Sequence, residues 1–166
     1  MPLYRIISEQ HLTTTLENAW EFLSDPENLS KITPDAMKFE IKGGAETRMF
    51  PGQIIRYHVS PFPGIRVPWI TEITHVKEHQ YFVDEQRFGP YKFWHHKHFI
   101  TPTDQGVLMQ DIVDYMLPGG PLGQLMHFLL VKMKLKGIFE FREKALDQMF
   151  GGVKQFPAKL TFIKLP

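Results

Sequence analysis

The residues best suited to chemistry lie in the run Trp94-His95-His96-Lys97-His98. In a β-strand successive side chains point to opposite faces, so Trp94, His96 and His98 share one face. Two imidazoles at this spacing lie about 7 Å apart. Such a pair can hydrogen-bond a ligand or transfer protons, and its spacing is also that of His-x-His metal ligands.

Four carboxylates lie close to this run in the sequence: Asp84, Glu85, Asp111 and Asp114. If the Gly- and Pro-containing turn before the run joins two antiparallel strands, Asp84 lies across from His96. A slip of one residue would place Glu85 there instead. On the other side, the next turn predicts Asp111 across from His96.

These side chains admit three interpretations. They can be cross-strand charge pairs on a half-wetted surface, which are common in sheets. They can form a polar cluster inside an apolar cavity, where a few donors and acceptors orient a ligand whose apolar area supplies the affinity. They can also include an acid–base pair built on His96. The candidate ligand-binding residues of this region are Asp84, Gln86, Trp94, His96, His98, Asp111 and Tyr115.

A metal site needs more than two histidines on one strand face. A third and a fourth ligand are required, and the chain has no cysteine to supply one. We therefore expect neither a metal nor another cofactor. A chelator should then leave the melting temperature unchanged.

The elements that must position these residues form a run of strands punctuated by Gly and Pro. Short links between consecutive strands predict an antiparallel meander. Before it, a strand over 4–12 precedes two short helices, over 16–24 and 27–32. The predicted meander strands are 38–42, 53–59, 67–76, 80–87, 93–101 and 107–116.

A long helix is predicted after the meander, because residues 122–150 contain no proline and Gly151-Gly152 follows them. Its apolar stripe is expected to wall a cavity, and Gly137 would leave room there for a ligand. The nearly continuous apolar run 125–131 is followed by three lysines, a combination that can dock on membranes. Burial against the core is the interpretation we favour. The candidate ligand-binding residues of the helix are Met126, Leu129, Met133, Gly137 and Phe141.

Whole-chain composition excludes several functions. The length of 166 residues suits one domain, and 19 basic against 18 acidic side chains leave no bulk field to attract nucleic acid. The absence of cysteine fits a reducing compartment. Residues 1–5 lack the basic-then-apolar pattern of a signal peptide, and no stretch approaches an apolar run of about 20 residues. We expect a cytoplasmic protein without a nucleic-acid partner and without stable membrane insertion.

Four segments carry a resemblance to a known superfamily: NAWEFLSDPENLSKITP (18–34), FVDEQRFGPYKFWHHKHFI (82–100), DIVDYMLPGGPLG (111–123) and IFEFR (138–142). The chain resembles the SRPBCC superfamily of START-type and polyketide cyclase-like proteins, and especially its bacterial ligand-binding members of unknown ligand. This resemblance implies an α+β helix-grip fold. A curved antiparallel sheet of about seven strands, two short helices and a long C-terminal helix would enclose a cavity.

The resemblance covers residues 1–150 as one domain and leaves 151–166 as a tail, which we expect to be dispensable for folding. It supplies no established catalytic residue. We therefore favour a binding or carrier module for a hydrophobic or amphipathic small molecule. The alternatives are a cyclase- or dehydratase-type enzyme with His96 as general base, and a protein-interaction subunit, with a homodimer left open.

Overall fold

A curved, unclosed antiparallel sheet of eight strands dominates the computed structural model, which describes residues 2–166 apart from the side chain of Leu122. The strand order is β2-β3-β4-β5-β6-β7-β1-β8, so the first strand of the chain lies beside β7, the last strand of the meander. The strands are β1 (Tyr4–Leu12), β2 (Glu40–Gly43), β3 (Gln53–Phe62), β4 (Ile65–Lys77), β5 (Tyr81–Phe88), β6 (Phe93–Thr103), β7 (Gly106–Met116) and β8 (Lys159–Lys164).

The short helical elements follow β1, as the sequence predicts. Helix α1 (Leu16–Leu23) begins where the Thr15 hydroxyl accepts a hydrogen bond from the backbone N–H of Asn18 at 3.2 Å. It buries Ala19, Trp20 and Leu23, which lie at helical spacing. Two 3-10 turns, Pro26–Ile32 and Asp35–Met37, follow it.

The long C-terminal helical segment is interrupted near its start. It consists of α2 (Gly120–Met126), a π-turn (His127–Val131) and α3 (Lys132–Phe150). The sequence predicts one uninterrupted helix instead. A π-turn holds one residue more than an α-helical turn, so it rotates every later side chain around the axis.

This rotation contributes to an error in the predicted cavity wall. The side chains of Leu129, Met133 and Phe141 are exposed, and a Cβ added at Gly137 would meet no atom within 4 Å. The buried side chains of α3 are instead Leu135, Phe139 and Leu146. Apolar residues occur on both faces of this segment, so their spacing alone did not distinguish the inner face from the outer one.

The tail adds a strand to the sheet. After Gly151-Gly152 the chain turns back, and β8 pairs antiparallel with β1 from Tyr4↔Lys164 to Glu9↔Lys159. Leu160 and Phe162 pack against the core formed by β1, β7 and α3. From the sequence we predict that residues 151–166 form a tail outside the domain. In the structure, β8 within this segment adds a strand to the sheet of the domain.

Two buried clusters flank the middle of the sheet. One includes Trp20, Ile73 and Leu146, and the other includes Val113 and Phe139. Within residues 2–166, no helix combines the length and the apolar composition that a membrane crossing requires.

Candidate functional site

A cavity of about 560 Å³ lies between the concave face of the sheet and the α2–α3 segment. Most of its lining side chains are apolar, and they come from β3, β4, β5, β6 and the helical segment. The exposed lining residues are Pro118, Gly119 and Met126. The cavity therefore opens beside the start of α2.

The strand register brings two of the predicted carboxylates to the two histidines. Asp84 lies across from His96, as the sequence predicts. Asp111 lies across from His98 rather than from His96, so that predicted pairing is wrong by two residues. The cause is the position of the β6–β7 turn, which is centred between Asp104 and Gln105, one residue later in the chain than a pairing of His96 with Asp111 requires. A two-residue shift leaves Asp111 on the same face.

His98 is held between two carboxylates. Its Nε2 lies 2.8 Å from Oδ2 of Asp84, and its Nδ1 lies 2.6 Å from Oδ1 of Asp111. The ring of His96 lies against the ring of His98, with centroids 3.7 Å apart. His96 Nδ1 is 3.6 Å from Asp84 Oδ2, and its Nε2 is 3.3 Å from Asp111 Oδ1. We call these four residues with Arg142 the polar cluster.

Arg142 completes the cluster from α3. Its Nε lies 3.2 Å from Oδ2 of Asp111, and the Arg142 side chain is largely buried. Because α3 carries this arginine over the sheet, the carboxylate of Asp111 contacts positive or protonatable groups from both the helix and the strand.

The two histidines differ in proton affinity. Burial by itself lowers the pKa of an imidazole, and for His96 burial and the charge of His98 outweigh the two carboxylates and lower its pKa. For His98 the charges and hydrogen bonds of Asp111 and Asp84 outweigh burial and raise its pKa. We therefore assign the proton of the pair to His98.

The carboxylates are held in their charged form. Burial by itself raises the pKa of Asp84, but its hydrogen bond with His98 and the neighbouring charges lower it. For Asp111 burial is outweighed by Arg142 and His98, which hold its pKa well below the ordinary range. With His96 neutral, two positive and two negative charges balance within the polar cluster.

An aromatic wall lies beside the polar cluster. Trp69 packs against Tyr57, Tyr91 and Trp94, with ring centroids 5.9, 5.6 and 5.5 Å away. The Tyr57 hydroxyl and Trp69 Nε1 both hydrogen-bond the Thr71 hydroxyl, at 2.8 and 3.0 Å. Burial raises the pKa of Tyr57 and of Tyr91. The wall therefore presents ring surface, with the polar atoms of two of its rings satisfied internally.

The candidate residues from the sequence divide into three groups. The cavity lining includes Asp84, Trp94, His96, His98 and Met126. The second group, Gln86, Asp111 and Tyr115, lies outside the lining. The third, Leu129, Met133, Gly137 and Phe141, lies on the outer side of the helical segment.

The residues of the second group support those that line the cavity. The Gln86 side chain donates to the carbonyl of Tyr91 at 2.7 Å and accepts from its N–H at 3.2 Å, which fixes the β5–β6 turn. The hydroxyl of the fully buried Tyr115 lies 2.8 Å from Nε2 of His127 in the π-turn. Asp111 lies behind the two histidines.

Several lining residues escaped the sequence analysis. Arg142, Tyr57, Trp69 and Leu135 line the cavity but are not among the candidates drawn from the sequence. The alternation of Tyr57 with Ile55 and Val59 on β3 is a local signal that could have placed Tyr57 on the inner face. No local signal identifies Arg142, since its position depends on the helix rotation.

Three side chains of the cluster have the composition of a metal site. Ligand atoms of Asp84, His96 and His98 lie within 4.8 Å of one another. Both nitrogens of His98 already face carboxylates, and a cation would compete with its proton and be repelled by Arg142. This balance of charges argues against metal binding.

Comparison with known proteins identifies the fold. No protein-family profile and no curated protein matches the chain. Among solved structures, a START superfamily protein from Mycobacterium smegmatis is 19% identical, with 90% of this chain and 99% of that chain covered and a TM-score of 0.63. A protein from Chromobacterium violaceum is 12% identical over 90% and 99%, with a TM-score of 0.68. Ara h 8.0201 is 18% identical over 88% and 99%, with a TM-score of 0.61.

These identities are low, and the likeness concerns the fold. The chain has an SRPBCC-type helix-grip fold, in which a curved antiparallel sheet lies against a long C-terminal helical segment.

Proposed function

We propose that this protein binds and carries one apolar or amphipathic small molecule in its cavity. The observation that carries the proposal is a cavity of about 560 Å³ whose lining is mostly apolar and whose polar side chains, outside the aromatic wall, come from the polar cluster together with Thr33, Thr71 and Lys134. Small-molecule sites have volumes of roughly 300–1,000 Å³ and combine apolar walls with a few polar groups. The helix-grip fold of the START superfamily neighbour is consistent with this use.

The charge balance of the polar cluster favours an uncharged polar group on the ligand. Asp84 and Asp111 pair with His98 and Arg142, so an extra charge placed against the polar cluster would find no free counter-ion within the cluster itself. His96 lines the cavity, and its Nε2, like His98 Nδ1 and Arg142 Nε, is buried without a hydrogen-bond partner of good geometry in the described residues. A hydroxyl or carbonyl group suits this position, and the aromatic wall suits a ring-containing body.

Native mass spectrometry of freshly purified protein is the direct test, because a carrier is expected to retain a small molecule. A second test uses the uncharged dye N-phenyl-1-naphthylamine and its sulfonated analogue 1-anilinonaphthalene-8-sulfonate. We expect the uncharged dye to bind more tightly. An empty protein that binds neither dye would contradict the proposal.

A pair of variants on β3 locates the binding. Val59 is buried and lines the cavity, so Val59→Phe should reduce binding of the uncharged dye. Ile54 lies on the exposed side of the same strand, so Ile54→Phe should leave binding unchanged. Equal effects of the two substitutions would place the dye outside the cavity.

A second candidate function is catalysis of the cyclase or dehydratase type with His96 as general base. The supporting observation is a neutral imidazole with a lowered pKa that lines the cavity beside Asp84. His96→Gln keeps a polar side chain at this position. Conversion of the retained molecule by the parent protein but not by H96Q, with binding preserved, would establish the enzyme; binding without conversion favours the carrier.

A further inference from the structure

The outer side of the helical segment exposes a patch of large apolar side chains. Phe128 is 76% exposed, Met133 69% and Leu125 54%, and they lie within nine residues. Exposed apolar side chains are ordinary when scattered, but a contiguous patch of this kind marks an interaction surface. The lid patch, as we call it, consists of Leu125, Phe128, Leu129, Leu130 and Met133.

Only basic charge accompanies the lid patch in the sequence. Residues 115–139 contain no Asp or Glu, whereas Lys132, Lys134 and Lys136 follow the patch directly. Lys136 pairs with Glu140 across one helical turn at 3.5 Å, and Lys132 lies over the ring of Phe162. Along residues 132–140, three lysines against the single acidic residue Glu140 therefore leave a net charge of +2 beside the patch.

The lid patch adjoins the opening of the cavity. Met126, which lies between Leu125 and Phe128, is both exposed and part of the cavity lining. Val131 and Lys134 line the cavity from the same segment. A partner covering the patch would therefore lie at the cavity mouth.

We propose that the lid patch and its lysines dock this protein on the surface of an anionic lipid bilayer. The apolar side chains would enter the boundary between head groups and acyl chains, and the lysines would pair with anionic head groups. This docking is peripheral. It does not depend on the identity, or even the presence, of a cavity ligand.

A second copy of the chain is a less suitable occupant. A twofold contact through the lid patch would bring the same lysines of both copies towards each other. An anionic bilayer supplies the opposite charge along with an apolar layer. The absence of acidic residues from 115–139 is the observation that favours an anionic bilayer over a second copy of the chain.

The test is co-sedimentation of the full chain with vesicles of phosphatidylcholine alone, or of phosphatidylcholine and phosphatidylglycerol in equal parts. We expect binding to the anionic vesicles that is at least about tenfold stronger than to the neutral ones. Phe128→Ser should weaken that binding by about tenfold. Lys132→Gln combined with Lys136→Gln should weaken it by about 25-fold, since each lysine contributes about fivefold.

Matched controls lie away from the segment. Phe88 on β5 is 59% exposed and Lys77 is exposed at the end of β4, so Phe88→Ser and Lys77→Gln should leave vesicle binding unchanged. All the substituted side chains are exposed. Melting temperatures of the variants should therefore stay close to that of the parent protein.

Three results would overturn the proposal. One is failure of the parent protein to bind anionic vesicles. Another is an equal loss of binding in the lid-patch and control variants. The third is a dimer, by light scattering, that does not bind vesicles and that F128S converts to monomers, because the patch would then be a contact between copies.

Discussion

The two ring nitrogens of His98 face the carboxylates of Asp84 and Asp111, while the ring of His96 lies tilted against that of His98 in the same cavity wall. The two histidines thus differ in proton affinity although they lie two residues apart on the same face of β6. The difference arises from contact distance: the carboxylate oxygens are closer to His98, so their charges outweigh burial there and do not for His96.

The first prediction is therefore an order of titration. In proton NMR, His98 should titrate above the ordinary imidazole value of about 6.5, and His96 below it. The sign for stability follows: the contribution of His98 is complete below the unfolded pKa and is lost as pH rises through its folded pKa. Titration of both rings near the ordinary value would show that the polar cluster is open to water.

The second prediction concerns Asp111, which holds His98 and Arg142. Asp111→Asn keeps the shape but leaves buried positive charge uncompensated, so unfolding free energy should fall by about 3–5 kcal/mol. Asp104→Asn, in the exposed β6–β7 turn, should change it by less than about 0.5 kcal/mol. Urea denaturation of both variants measures the difference.

The pH dependence of that effect has a defined sign. The pKa of Asp111 is depressed in the folded state, so its contribution is present above its unfolded pKa of about 3.9 and is lost as pH falls through the folded value. The difference in unfolding free energy between D111N and the parent protein should therefore become smaller at acidic pH. A difference in unfolding free energy that does not change with pH would mean that the Asn side chain destabilises the protein through packing and not through the loss of a charge.

At the scale of elements, the π-turn determines which side of the C-terminal segment faces the cavity. His127 in this turn stacks on Tyr4 at 3.7 Å and hydrogen-bonds Tyr115, so it is anchored to the sheet. The helix after it buries Leu135 and Phe139 and leaves Gly137 outside.

The third prediction separates the two faces of α3. Gly137→Leu should leave binding of N-phenyl-1-naphthylamine unchanged and raise stability by up to about 1 kcal/mol, because leucine is the better helix former. Leu135→Ala should lower stability by about 2–5 kcal/mol by removing buried contacts. Loss of dye binding in G137L would mean that the helix is rotated relative to this structure.

At the scale of the whole molecule, β8 covers the edge of β1. Without it, β1 would present unpaired backbone groups, and an exposed edge strand invites aggregation. Leu160 and Phe162 would also leave the core formed with α3. Because of this pairing and packing, we now predict that the tail stabilises the fold, in place of the expectation that it is dispensable.

The fourth prediction is that deletion of residues 153–166 lowers the melting temperature and promotes association in solution. Deletion of Pro166 alone is the matched control, since it spares β8 and the hydrogen bond from Leu165 to Leu3. Circular dichroism and size-exclusion chromatography measure both effects. Equal melting temperatures of the deletion variant and the control would show that the tail is dispensable for folding.

The sequence by itself determined strands β1 to β7, the short helix α1, the shared face of His96 and His98, and the pairing of Asp84 with His96. These features depend on interactions between near neighbours: alternation in a strand, helical spacing, caps and short turns. The superfamily resemblance supplied the order of elements and the helix-grip fold, which the solved structures confirm.

Only the tertiary structure decided the partner of Asp111, the inner face of α3, the place of Arg142 in the polar cluster and the pairing of β8. A β6–β7 turn centred one residue later in the chain moves Asp111 across from His98 without changing its face. Along α3 both faces carry apolar residues, so the rotation is decided by the π-turn and by packing against a sheet distant in sequence. Such long-range contacts leave no periodic signal in the local sequence, which is why it could not reveal them.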